Sequence, residues 1–168
     1  MTRTRFALAL APLLSLAAPL AAQEFVGGFG IADFHNSTAE SGAYISGDYL
    51  GARDWNLLGF EAGLGATVQV HQEGDIFLGV GLQAQRELRN GWFIEASLMP
   101  GLFEEGTSAN DLGSTLEFRS LIGVGRELRN GNRVSLALSH ISNASIGDRN
   151  PGLNALSLRY HIPLQRGF

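Results

Sequence analysis

His140 and Ser142 are separated by one residue, and Asn154 follows the serine by twelve positions. A serine hydroxyl alone is a weak nucleophile. A histidine within hydrogen-bond reach can take its proton, and a third group can hold the ring in the orientation that does so. A carboxylate in third place would also stabilise the imidazolium. An asparagine carbonyl orients the ring but adds no charge. A His-x-Ser pair is also common by chance, as an interfacial histidine beside a strand-end serine. Which reading holds depends on the elements that carry these side chains.

The dominant period of the chain is two, which marks strands. Over 57–70 the even positions are Leu58, Phe60, Ala62, Leu64, Ala66, Val68 and Val70, and the odd positions include Gly59, Glu61, Gly63, Gly65, Thr67 and Gln69. The same alternation runs through 76–86, 92–102, 114–126, 134–142 and 156–164. Weaker strands near 25–34 and 42–50 bring the expected total to eight. The hexapeptide Arg-Glu-Leu-Arg-Asn-Gly occurs at 86–91 and again at 126–131, and Asn-Gly is a strong signal for a tight hairpin. By contrast 104–113 and 143–153 are long polar connections.

Two architectures fit this pattern. A soluble lipocalin-like barrel would turn the apolar row inward. An outer-membrane barrel would turn it to lipid and keep the polar and small row inside. The non-apolar row carries Glu61, Gln69, Gln83, Glu95, Glu117, Arg119 and many glycines, which suits the crowded interior of a small eight-stranded barrel. Segments of ten residues or more suit tilted strands that cross a bilayer. Tight turns alternate with long loops, and the chain ends in Phe168, as many outer-membrane barrels do. The expected fold is therefore all-β: an eight-stranded antiparallel transmembrane barrel of the outer membrane.

His140 and Ser142 continue the row of Val134, Leu136 and Leu138, and Asn154 begins the row of Leu156, Leu158 and Tyr160. Residues i and i+2 of a strand share a face, so the trio should point outward, toward lipid. The two strands should be antiparallel neighbours joined by 143–153. With the N-terminus in the periplasm, the seventh strand ends at Ser142 on the external side. Polar groups are badly placed there unless they act on lipid.

Composition sets outer limits. The charge is −4, and all 12 basic residues are arginine. Charged residues make up 17%, against about 25% for soluble domains. Nothing forms a basic stripe, which argues against nucleic acid as a partner. The absence of cysteine excludes a thiol nucleophile or a zinc–thiolate site. Residues 1–22 read as a secretory signal: Arg3 and Arg5, then an apolar stretch from Phe6 to Leu20, then Ala21 and Ala22. Removing them leaves one barrel domain, 23–168, with a formal charge of 10 − 16 = −6.

The segment HISNASIGDRNPGLN at 140–154 resembles the active-site segment of the PagL-type lipid A 3-O-deacylases. The resemblance continues through SLRYHIPL in the last strand and back through GSTLEFRSLIGVG at 113–125, so it covers residues 76 to 164. It implies an outer-membrane serine esterase that removes the ester-linked 3-hydroxyacyl chain from the 3-position of lipid A. Ser142 would be the nucleophile and His140 the general base. Asn143 and Asn150, with backbone N–H groups near Ala144 and Ser145, would be candidates to hold substrate or the oxyanion, although Asn is also a common turn residue. No cofactor is implied. The implied partners are lipopolysaccharide and outer-membrane lipids, and a homodimer is left open.

One position departs from the family pattern: Asn154 stands where the family usually has Glu. Asn154 can orient His140 without charge, Asp148 can substitute from the loop, or the chain is a weakened relative. The first is preferred, because outer-membrane phospholipase A carries a similar His-x-Ser pair with Asn twelve residues after the serine. That enzyme is longer, so a phospholipase-type acyl hydrolase is the second reading and a non-catalytic barrel the third. The remaining histidines, His35, His71 and His161, lack metal-ligand spacing, and His161 is expected in the interior. Glu104, Glu105 and Arg149 read as solvated loop residues.

Overall fold

Alternating apolar and polar residues produce nine strands in a computed structural model that describes residues 23–34 and 41–164. The strands are β1 (Glu24–Phe34), β2 (Gly42–Leu50), β3 (Trp55–Leu57), β4 (Phe60–His71), β5 (Ile76–Glu87), β6 (Trp92–Glu104), β7 (Leu116–Glu127), β8 (Arg133–Ser142) and β9 (Leu153–Pro163). Neighbours in the order β2-β1-β9-β8-β7-β6-β5-β4-β3 pair antiparallel, and β2 also pairs with β4. The result is a closed eight-stranded antiparallel barrel, with β3 extending one wall. The signal expected at 1–22 and the terminal Phe168 lie outside the described residues.

The strand expected over 57–70 is broken. Leu58 and Gly59 take positive φ, 53° and 84°, and form a turn between β3 and β4. The Asn56 side chain accepts the Gly59 N–H at 3.2 Å and fixes that turn. Glu61, expected inside, is exposed near this end. Both copies of the repeated hexapeptide close hairpins. Leu88 donates its N–H to Trp92, and Leu128 donates to Asn132, each at 2.7 Å.

The barrel is turned inside out relative to a soluble protein. Ile122, Leu138 and Leu158 on the outer row are each about 60% exposed, whereas Glu24, Asp48, Gln83, Glu95, Arg119, Arg159 and His161 are buried within. Such an apolar exterior is what hydrocarbon requires, and closure satisfies the backbone polar groups. This excludes the soluble barrel.

Burial leaves the interior charges little water, and a connected set of them pairs across the lumen. Asp48 accepts from Arg119 at 2.7 Å and Arg159 at 3.1 Å. Glu24 accepts from Arg133 and His161, both at 3.0 Å. Glu95 links the two groups through Arg159 at 3.2 Å and Ser135 at 2.5 Å. His161 is thus an interior residue, as the alternation predicts.

Toward the external end the lumen changes character. Tyr44, Phe77, Phe103, Leu112, Ile141 and Leu153 form an apolar plug. Leu112 comes from the loop between β6 and β7, and Asp75 holds that loop down by accepting from the Gly106 N–H at 2.7 Å and the Asn110 amide at 2.9 Å. Ile141 and Leu153 face each other across β8 and β9. Each lies beside a residue of the sequence-derived trio, so the plug fixes the strands from within while the trio stands outside.

Candidate active site

The β8–β9 register sets His140 directly opposite Asn154. Both side chains are exposed on the outer row, and Ser142 is half-buried on the same row. His140 Nδ1 lies 2.9 Å from Asn154 Oδ1. With the Asn154 carbonyl oxygen as acceptor, Nδ1 is the donor and Nε2 is the nitrogen left to take a proton. That is the tautomer a general base needs. Ser142 makes no hydrogen bond to the ring among the described residues. Residues i and i+2 of a strand stand about 7 Å apart at Cα, a gap that rotation of the ring and hydroxyl can close. Hydrogen bonds of this kind are often long without substrate.

Gly152 supports the ring from the β8–β9 loop. Its φ is +71°, and a Cβ there would lie 2.9 Å from His140 Cε1 and 3.5 Å from Nε2. Only glycine fits both the backbone and the space.

The loop itself is organised by Asn143. This buried side chain donates to the carbonyls of Leu112 at 3.1 Å and Arg149 at 2.6 Å, and it accepts from the Ser145 N–H at 2.9 Å. Its own N–H donates to Asn150 Oδ1 at 3.1 Å. These bonds hold Ala144 and Ser145 at φ of 53° and 62°, a region that costs a non-glycine residue of order 1–3 kcal/mol. The Asn143 amide is thus committed to the loop. The Ala144 N–H has no acceptor among the described residues, and the Asn150 amide nitrogen remains for a ligand. Arg149 pairs with Asp111 of the neighbouring loop. The ring nitrogen bonds Asn154 rather than Asp148.

Two further polar residues join the site. Ser120 on β7 faces His140 across the register, and Asp33 on β1 faces Asn154. Together with the pair they border an external groove of roughly 540 Å³. Ile31, Ile122, Leu138 and Leu156 form its apolar wall. Sequence reading missed both residues. Each is a polar break in an otherwise apolar outer row, after Phe29 and Ile31 in one case and between Phe118 and Ile122 in the other. Their nearness to His140 depends on register.

This arrangement defines a class: membrane barrels that present polar side chains to lipid from the outer wall. The profile of the family described as Lipid A 3-O-deacylase (PagL) matches residues 38–163, and the chain belongs to that family. It is 40% identical over 74 residues to Lipid A deacylase PagL of Pseudomonas aeruginosa, covering 43% of this chain and 42% of that one. It is 39% identical over 70 residues to Lipid A deacylase PagL of Bordetella bronchiseptica, covering 41% and 39%. The matched stretches thus span about two fifths of these curated relatives. A solved structure, the outer membrane enzyme PagL, superposes with a TM-score of 0.68 at 24% identity, over 84% of this chain and 99% of that one.

Proposed function

We propose that the chain is a lipid A 3-O-deacylase in the outer leaflet of the bacterial outer membrane. The supporting observation is the lipid-facing His140–Asn154 hydrogen bond beside an apolar groove. Ser142 Oγ attacks the carbonyl of the 3-linked ester while its proton passes to His140 Nε2. The oxyanion accepts from the Ala144 N–H and the Asn150 amide. The intermediate collapses as His140 returns the proton to the sugar oxygen, which leaves as an alcohol with the acyl chain held on Ser142. Water, deprotonated by the same ring, then releases the 3-hydroxy fatty acid and restores the serine. The groove wall of Ile31, Ile122, Leu138 and Leu156 would take the acyl chain.

The test is mass spectrometry of lipid A from cells that express the chain. The expected result is loss of one 3-hydroxyacyl group, abolished by Ser142→Ala. Fatty acid released from phospholipid alone would support the phospholipase reading instead. An unchanged lipid A and phospholipid pool would overturn both.

A further inference from the structure

Four outer-row residues stand in one line across four strands: Asp33 on β1, Asn154 on β9, His140 on β8 and Ser120 on β7. An asparagine beside a catalytic histidine poses a problem that a carboxylate does not. A carboxylate only accepts. An amide has a donor side and an acceptor side, and a half-turn about its last bond exchanges them. With Nδ2 turned to His140, the ring would have to accept at Nδ1 and carry its proton on Nε2. Ser142 would then face a donor and have no base. Something must hold the amide with Oδ1 toward β8.

We propose that Asp33 is that positioning residue: its carboxylate takes the Asn154 amide nitrogen, locks the amide in its productive orientation and restores the negative charge that Asn154 lacks. The inference rests on the serine-esterase reading of the same site. The planar amide that turns Oδ1 to β8 turns Nδ2 toward β1, where Asp33 stands in register. Directly opposed residues have Cβ atoms about 5 Å apart, within reach of two short polar side chains after a rotamer adjustment. Ser41 Oγ donates to Asp33 Oδ1 at 2.8 Å, which steadies the carboxylate, and among the described residues Oδ2 has no hydrogen-bond partner and can take Asn154. Among the described residues, Asp33 and His140 are the two ionisable ones that border the groove. A carboxylate on this apolar row is costly unless it has a partner. Through the amide it also polarises Oδ1, and so supports the imidazolium formed when the serine gives up its proton.

The experiment compares the full-length barrel in detergent micelles with Asp33→Asn, Asn154→Glu and the double variant, using lipid A as substrate. Ser142→Ala is the reference. Asp33→Asn should lower kcat at least tenfold with KM within twofold. In the Asn154→Glu background the same change should leave kcat within twofold or raise it, because glutamate needs no lock and Asp33 then only repels it. A purely structural role would cost the same factor in both backgrounds, and that result overturns the proposal. So does an unchanged kcat in Asp33→Asn. If Asp33→Asn does not fold, Asp33→Ser provides the same comparison. Activity surviving in Ser142→Ala would instead remove the serine-esterase reading. An inactive Ser142→Ala beside a fully active Asp33→Asn would remove the Asp33 role alone.

Discussion

Replacing Gly152 with alanine tests the support beneath the His140 ring. Two costs follow from the geometry. Alanine at φ +71° pays a backbone penalty of roughly 1–2 kcal/mol. Its Cβ would also meet Cε1 at 2.9 Å, whereas carbon atoms in contact prefer about 3.5–4.0 Å, so the ring must retreat by about 0.6 Å or more. That movement strains the 2.9 Å bond to Asn154 and displaces Nε2 from the position that bond sets. Misplacement by about 1 Å can cost on the order of a hundredfold, so kcat should fall about 10–100-fold. Gly131→Ala is the control. Its φ is +80°, yet nothing lies within 4 Å of the added Cβ, so it pays only the backbone cost. Release of 3-hydroxy fatty acid from lipid A in micelles gives kcat, and thermal unfolding followed by circular dichroism gives stability. Both variants should lose the backbone penalty in stability, Gly152→Ala at least as much as Gly131→Ala, and only Gly152→Ala should lose rate. Equal rates in the two folded variants would refute the assignment of His140 as the base held by this loop.

Other changes separate stability from chemistry. Asp48→Ala should destabilise the barrel by about 3–5 kcal/mol, because Arg119 and Arg159 are left buried without their shared carboxylate; a lowered unfolding midpoint checks this. Asn143→Ala removes three side-chain hydrogen bonds and should relax Ala144 and Ser145, lowering kcat at least tenfold while the strands remain folded by circular dichroism. Chelation with EDTA should leave hydrolysis in micelles within twofold. A calcium requirement would favour the phospholipase-type reading.

Strand alternation made the barrel legible because bilayer and lumen demand opposite side chains at every step. The same alternation set His140, Ser142 and Asn154 on the outer row, as found. Leu58 misled because it extends the apolar row in phase although the chain turns there, and the break depends on the Asn56–Gly59 bond. Phe77 and Phe103 sit on the inner row, where alternation alone gives no reason for apolar residues; they make sense only as part of a plug with Leu112. Asp33 and Ser120 are far from His140 in sequence, so strand register had to reveal them. Asn143 could be read as a turn residue or an oxyanion donor, and its bonds to Leu112 and Arg149 commit the amide to the loop.

The packed interior has a consequence beyond stability. Around Asp48, Gln83, Glu95 and Arg159 the free space is about 10 Å³, close to the minimum for one water, and aromatic rings stop the passage above it. Among the described residues the lumen is filled by side chains rather than open as a channel. On the proposed reaction, substrate reaches this protein sideways through the lipid sheet rather than through the wall.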